Sequence, residues 1–262
     1  MWIGIPLVLM VFISPLPVLG RANINHWIEK IFMAPTAWIR NNWFPNAPKF
    51  DGFYTDSLNY LILLFFAASI GVVLAFAIQK SRLDCLKIEL FTKKTLVYYL
   101  SWIFLIYGFS KILGVQFPEN IVSSATFSFN VDNLDLQFWS YMGQHRGLVN
   151  VLGIAEILIA ILMLLNKSRK LGIILFTTAL TVIVVINFKF EISVRLFSVI
   201  LLLTGIYSSI EHLPNPKSST HFDNVIIQNQ KYWFAHFNFR KPIKLFIIAV
   251  MFISAIFNSL QV

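Results

Sequence analysis

Charge is scarce in this chain. Only 13% of its 262 residues are charged and 57% are hydrophobic, whereas a soluble domain usually carries about 25% charged residues. So few charges cannot cover a water-facing surface, so most of the exterior has to face lipid. Cysteine is nearly missing as well. The lone Cys85 excludes an intramolecular disulfide or a dithiol redox centre and leaves an ordinary loop thiol. None of the five histidines lies in mid-span, which argues against a membrane-buried bis-histidine haem. The sequence holds no Cys/His cluster with zinc spacing and no glycine-rich phosphate loop. It also holds no internal repeat, which disfavours a transporter built from two related halves.

What is present is apolar, aromatic and basic. There are 26 Phe and 7 Trp, and aromatic rings gather at membrane interfaces. The net charge of +9 resides in loops beside apolar runs, so it needs no nucleic-acid partner. A helical crossing takes about 20 residues. Seven windows approach that length: 1–20, 58–78, 95–115, 147–165, 171–188, 193–210 and 243–260. The first has small residues at Val18-Leu19-Gly20, a plausible signal-peptide cleavage point, but it lacks a basic leader and reads as a retained span. The expected fold class is therefore all-α, a polytopic membrane helical bundle of about seven helices.

The loops set an expected orientation. Segment 79–94 carries Lys80, Arg82, Lys87, Lys93 and Lys94. The turn at 166–170 carries Lys167, Arg169 and Lys170, and segment 211–244 carries Lys217, Lys231, Arg240, Lys241 and Lys244. These alternate with less basic connections such as 116–146, as expected for a membrane protein with a cytoplasmic N-terminus and its C-terminus on the outer side.

Three connecting segments have patterns of their own. Residues 23–33 place Ile24, Trp27, Ile28, Ile31 and Phe32 on one helical face, which predicts an amphipathic helix on the outer membrane surface. In 125–138, Phe127, Phe129 and Val131 precede Asp132-Asn133, and Leu134, Leu136 and Phe138 follow. That period of two around a turn pair predicts a small outer β-hairpin, with an apolar loop as the alternative. Residues 217–242 mix polar and aromatic side chains and read as a cytoplasmic interfacial connector.

Charges inside spans cost about 2.5–3.5 kcal/mol each on insertion scales, so each is a candidate functional group. Glu156 sits roughly 14 Å from the outer end of its span at 1.5 Å per residue. It has to be paired, face the bundle interior or be protonated. Lys111 lies near the outer end of the third span, one turn after Tyr107. If its helix continues to Gln116, it can reach toward Glu156; if the helix stops at Leu113, it snorkels to the surface. Asn187, Lys189, Glu191 and Arg195 come from the turn joining the fifth and sixth spans. Tyr107, Lys111, Glu156, Asn187 and Arg195 are thus the candidate outward-facing pocket. A purely structural salt-bridge network is the alternative. His145 beside Arg146 reads as a solvated interfacial imidazole.

Several of these runs resemble a known family. Tyr98-Tyr99-Leu100 through Tyr107-Gly108-Phe109-Ser110-Lys111, with Gln116-Phe117-Pro118, is similar to the DoxX-like membrane proteins of Bacteroidota. So are Phe138-Trp139-Ser140-Tyr141-Met142-Gly143, Gly153-Ile154-Ala155-Glu156, and Ile186-Asn187-Phe188 with Val194-Arg195-Leu196-Phe197-Ser198. The chain departs at Glu191-Ile192, where that pattern has aspartate and often proline, and at Arg195, where lysine is commoner. The resemblance implies a four-helix core at 95–212. Residues 1–94 then form an N-terminal addition, and 213–262 a connector with a final span. Relatives of that kind include small subunits of thiosulfate:quinone oxidoreductase and membrane assembly factors, so one fold hosts several functions.

The leading expectation is a non-catalytic subunit of a larger membrane assembly, associated with lipid and other protein subunits and with redox pathways. The alternative is a quinone-interacting oxidoreductase subunit. There Lys111 or Arg195 would hold a quinone oxygen near Tyr107, and Glu156, the candidate catalytic residue, would relay a proton. A small-molecule transporter stands third.

Overall fold

The computed structural model describes residues 2–14, 25–47, 53, 55–81, 83–117, 134–210 and 240–260. Among these residues every regular element is helical: α1 (Gly4–Ile13), α2 (Asn25–Trp43), α3 (Leu58–Lys80), α4 (Cys85–Ile112), α5 (Leu134–Gln144), α6 (Arg146–Leu164), α7 (Arg169–Lys189), α8 (Arg195–Ile210) and α9 (Arg240–Leu260). Four of them are long and apolar enough to cross a membrane: α3, the 87–112 part of α4, α6 and α7. Large hydrophobic side chains stay outside on these helices, among them Phe65, Val73 and Phe76 on α3 and Val182 and Val185 on α7. An outward apolar face of this extent suits lipid, which has no hydrogen bonds to offer.

The long spans form where uninterrupted apolar runs predict them, and the differences lie at their ends. α4 begins ten residues before its expected start, because much of the basic loop is helical. Asp84 accepts the Lys87 backbone N–H at 3.2 Å, which caps an orphan donor of the first turn. Lys93 pairs with Glu89 one turn away at 3.1 Å, a spacing that supports helix. α1 is ten residues long, well short of the expected 1–20 span, whose remainder at 15–20 lies outside the described residues. α8 is also short, at 16 residues.

The expected hairpin is corrected in its second arm. Leu134, Leu136 and Phe138 belong to α5, while 118–133 lies outside the described residues. Asp135 in the first turn favours helix through the backbone dipole and accepts from the Trp139 indole one turn on. The surface helix predicted at 23–33 extends through Pro35 to Trp43. It packs on α3 through Phe32 and Phe66, 5.7 Å between ring centroids. Ile31, Met33, Trp38 and Trp43 face outward. The connector at 211–239 lies outside the described residues.

α4 is the hub. It packs most extensively on α6, and the neighbour pairs α6–α7, α7–α8 and α4–α8 close a four-helix ring. Inside the ring Phe104 stacks on Phe176 at 4.3 Å, amid fully buried Leu100, Ile103, Ile173 and Phe197. α1 is pinned to α3, where the Tyr60 hydroxyl donates to Ser14 Oγ at 2.6 Å, and to the ring at α4, where the Tyr99 hydroxyl donates to the Val11 carbonyl at 3.1 Å. α9 docks on α4, where the Trp102 indole donates to Ser254 Oγ at 2.9 Å. Such pins matter in lipid, where burying apolar surface gives helices little reason to associate.

Candidate functional site

The site begins with two glycines. Gly108 on α4 and Gly153 on α6 face each other so closely that a Cβ on either would lie 2.8 Å from the other's carbonyl oxygen. Small residues let helix backbones approach in this way. Each glycine is followed three residues later by a charge, Lys111 on α4 and Glu156 on α6. Close approach therefore places a cation and an anion beside one crossing point.

The two charges then meet by helix geometry. α4 and α6 run antiparallel, and side chains lean toward the N-terminus of their own helix. Lys111 therefore leans back into the bundle while Glu156 leans toward it. The Lys111 ammonium donates to both carboxylate oxygens, at 2.9 and 2.8 Å. Both residues are only 7% exposed. α4 stops at Ile112, the case in which snorkelling was expected, yet Lys111 turns inward. Its ammonium lies 5.5 Å from the centroid of the Tyr107 ring, within cation–π range.

The end of α4 is sealed by a residue that the sequence reading treated as a loop charge. Gly114 adopts φ +80°, which suits glycine after a helix, and the Val115 N–H returns to the Ser110 carbonyl at 3.0 Å. Arg146, at the start of α6, donates to the Ile112 carbonyl at 2.6 Å. Its guanidinium fills the space where a Gly114 side chain would sit.

Arg195 does not join the Lys111–Glu156 pair. Its guanidinium donates to Asp56 Oδ2 at 3.1 Å, and the backbone N–H groups of Arg195 and Leu196 donate to the same carboxylate at 3.0 and 2.7 Å. Asp56 thus caps α8 from the segment before α3. Glu191, one helical turn before Arg195 in the sequence, is exposed and adopts φ 55° in the α7–α8 turn. Asn187 is buried on α7, and its Nδ2 meets no acceptor among the described residues. Asn150 Oδ1 on α6 is likewise buried and unmatched. Lys189 is exposed, 5.7 Å from the Phe190 ring centroid. His145 is exposed and stacks on Tyr141 at 4.1 Å.

Of the five candidate residues, then, Tyr107, Lys111 and Glu156 come together and Arg195 goes elsewhere. Among the described residues no group of three or more His, Cys, Asp or Glu could hold a metal ion. Comparison with known proteins adds one relative. The chain is 31% identical over 108 residues to the uncharacterized protein YwoB of Bacillus subtilis (strain 168), a match covering 40% of this chain and 66% of that protein. The chain therefore spans just under two thirds of that relative's length. No family model and no solved structure matches it.

Proposed function

We propose that this chain is a non-catalytic subunit of a larger assembly in the bacterial cytoplasmic membrane, associated with redox pathways and carrying a polar pocket toward the outer face. In this reading α1, α8 and α9 join the four long helices to give about seven crossings. The basic connections lie in the cytoplasm and the C-terminus outside. Residues 95–212 are a DoxX-like core around which the remaining helices are additions. The observation that carries the non-catalytic role is the bidentate Lys111–Glu156 pair. Two buried charges that saturate each other stabilise one helix register and hold no free acid or base for chemistry.

The experiment is purification of the full chain in mild detergent, followed by native mass spectrometry. A stoichiometric protein partner without a cofactor supports the subunit reading. A chain that purifies alone, with no stoichiometric protein partner, contradicts it.

A second reading, a quinone-interacting oxidoreductase subunit, is favoured by the Tyr107 ring beside Lys111. In that case lipid extracts of the purified protein contain quinone, and Glu156→Gln loses it. Extracts without quinone from both proteins contradict this alternative.

A further inference from the structure

The four-helix ring is uneven at the end away from α5. Gly108 and Gly153 mark where α4 and α6 meet most closely, and the two helices run antiparallel from there. Toward this end α4 continues for 23 residues to Cys85, whereas α6 stops after 11 at Leu164. α4 therefore outruns α6 by about 18 Å at 1.5 Å per residue. The difference leaves a step beside the α6–α7 turn, walled by the first turns of α4.

Lys94 stands at the corner of that step. It lies 14 residues back from Gly108, as Lys167 lies 14 on from Gly153, so the two are at similar heights. At about 100° per residue, those positions bring Lys94 within about 40° of the direction of Gly108, the side that α4 turns toward α6. Lys94 is exposed there, and so are Lys167 and Lys170 in and after the α6–α7 turn. Arg169, between them, closes the end of α6 instead. Its guanidinium donates to the Met163 carbonyl at 3.1 Å and to Asn166 Oδ1 at 2.8 Å.

The wall of the step is apolar as well as basic. Phe91 is 70% exposed and lies one turn after Lys87 and one turn before Lys94, so the three share a side of α4. Leu165 and Leu171, flanking the turn, are exposed too. Lys87 shares Asp84 at 3.1 Å with both side chains about half exposed, a weak pairing that a phosphate can replace. Glu89 pairs with Lys93 at 3.1 Å and lies about 160° around α4 from Phe91. Lysines gathered at one step repel one another, which favours an anion among them, and the bare ring and leucines favour a hydrocarbon chain. We propose that this step binds an anionic phospholipid, its phosphate held by Lys94, Lys167 and Lys170 and an acyl chain laid along Phe91. The site goes beyond the function proposed above: it requires a membrane, and neither the subunit role nor the orientation.

The test titrates the purified full chain in mild detergent with phosphatidylglycerol and with phosphatidylcholine of the same acyl chains, counting bound lipids by native mass spectrometry. The expected result is saturable retention of phosphatidylglycerol and not of phosphatidylcholine. Lys94→Gln with Lys167→Gln is expected to weaken that retention at least about tenfold. Lys80→Gln with Lys189→Gln removes the same net charge at the ends of α3 and α7, and is expected to leave it unchanged. Equal retention of the two lipids, or of neither, overturns the proposal. So does an equal loss in both double variants, because a diffuse positive charge then explains the binding. Displacement of phosphatidylglycerol by a polyglutamate peptide at lower concentration also overturns it and gives the step to an acidic protein segment. The comparison of the two lipids on the unsubstituted chain stands even if a variant fails to fold. A protein partner found or missing in the same spectra decides the subunit reading separately.

Discussion

Asp56 holds Arg195 from 139 residues away in the chain, accepting from both its backbone N–H and its guanidinium. With the Leu196 N–H added, one carboxylate satisfies two orphan donors of α8 and one side-chain charge. Replacement of an N-terminal cap by alanine costs about 0.5–2 kcal/mol. Asp56→Ala is therefore expected to lower the denaturation midpoint of the detergent-solubilised protein. Asp56→Asn, which keeps one of the two accepting oxygens and tolerates the φ of 67° found here, is expected to lose less stability than Asp56→Ala. Equal losses in the two variants would show that charge, and not capping geometry, is what matters.

The glycine contact gives a contrast between positions on one helix. Gly153→Ala puts a methyl group 2.8 Å from the Gly108 carbonyl oxygen. Overpacking of this kind costs about 1–3 kcal/mol. Gly147→Ala, two turns earlier in α6, meets nothing within 4 Å and is expected to stabilise by up to about 1 kcal/mol through backbone entropy. Chemical denaturation of both variants in one detergent reads the difference. Loss of stability in Gly147→Ala equal to that in Gly153→Ala would contradict the close-contact account.

The orientation has its own test, for which the single native cysteine is convenient. In a Cys85→Ser background, cysteines are placed at Ser193 in the α7–α8 turn or at Lys167 in the α6–α7 turn. A membrane-impermeant maleimide applied to intact cells is expected to label the first and spare the second. The reverse pattern would invert the proposed topology and with it the direction of the pocket.

Some of this architecture was legible in the sequence. α3, α6 and α7 follow from long apolar runs, whose ends are set by polar residues within about two positions. The cost of burying Glu156 left it to be paired, turned into the bundle or protonated, and Lys111 was one cation that could reach it. Other features were legible only in part. The start of α4 was misplaced because lysines were read as loop residues, although Glu89 and Lys93 have helical spacing. In α5 the same residues fit two periods. Leu134, Leu136 and Phe138 share one face at the period of two of a strand, and Leu134 and Phe138 are also one helical turn apart. The Asp56–Arg195 contact is non-local, and no periodic signal announces it. The close approach of Gly108 and Gly153 has meaning only once their helices are known to be partners.

The central claim is that Lys111 and Glu156 act as one buried unit that fixes α4 against α6. A double-mutant cycle on the detergent-solubilised protein, read as unfolding free energy, tests it most directly. Breaking a buried pair by removing one partner costs about 3–5 kcal/mol, whereas replacing both with apolar groups is often close to neutral. Lys111→Met and Glu156→Leu are each expected to destabilise strongly, and the double variant carrying both to recover most of the loss. Single losses that simply add in the double variant would contradict the account, because the two charges would then be acting independently.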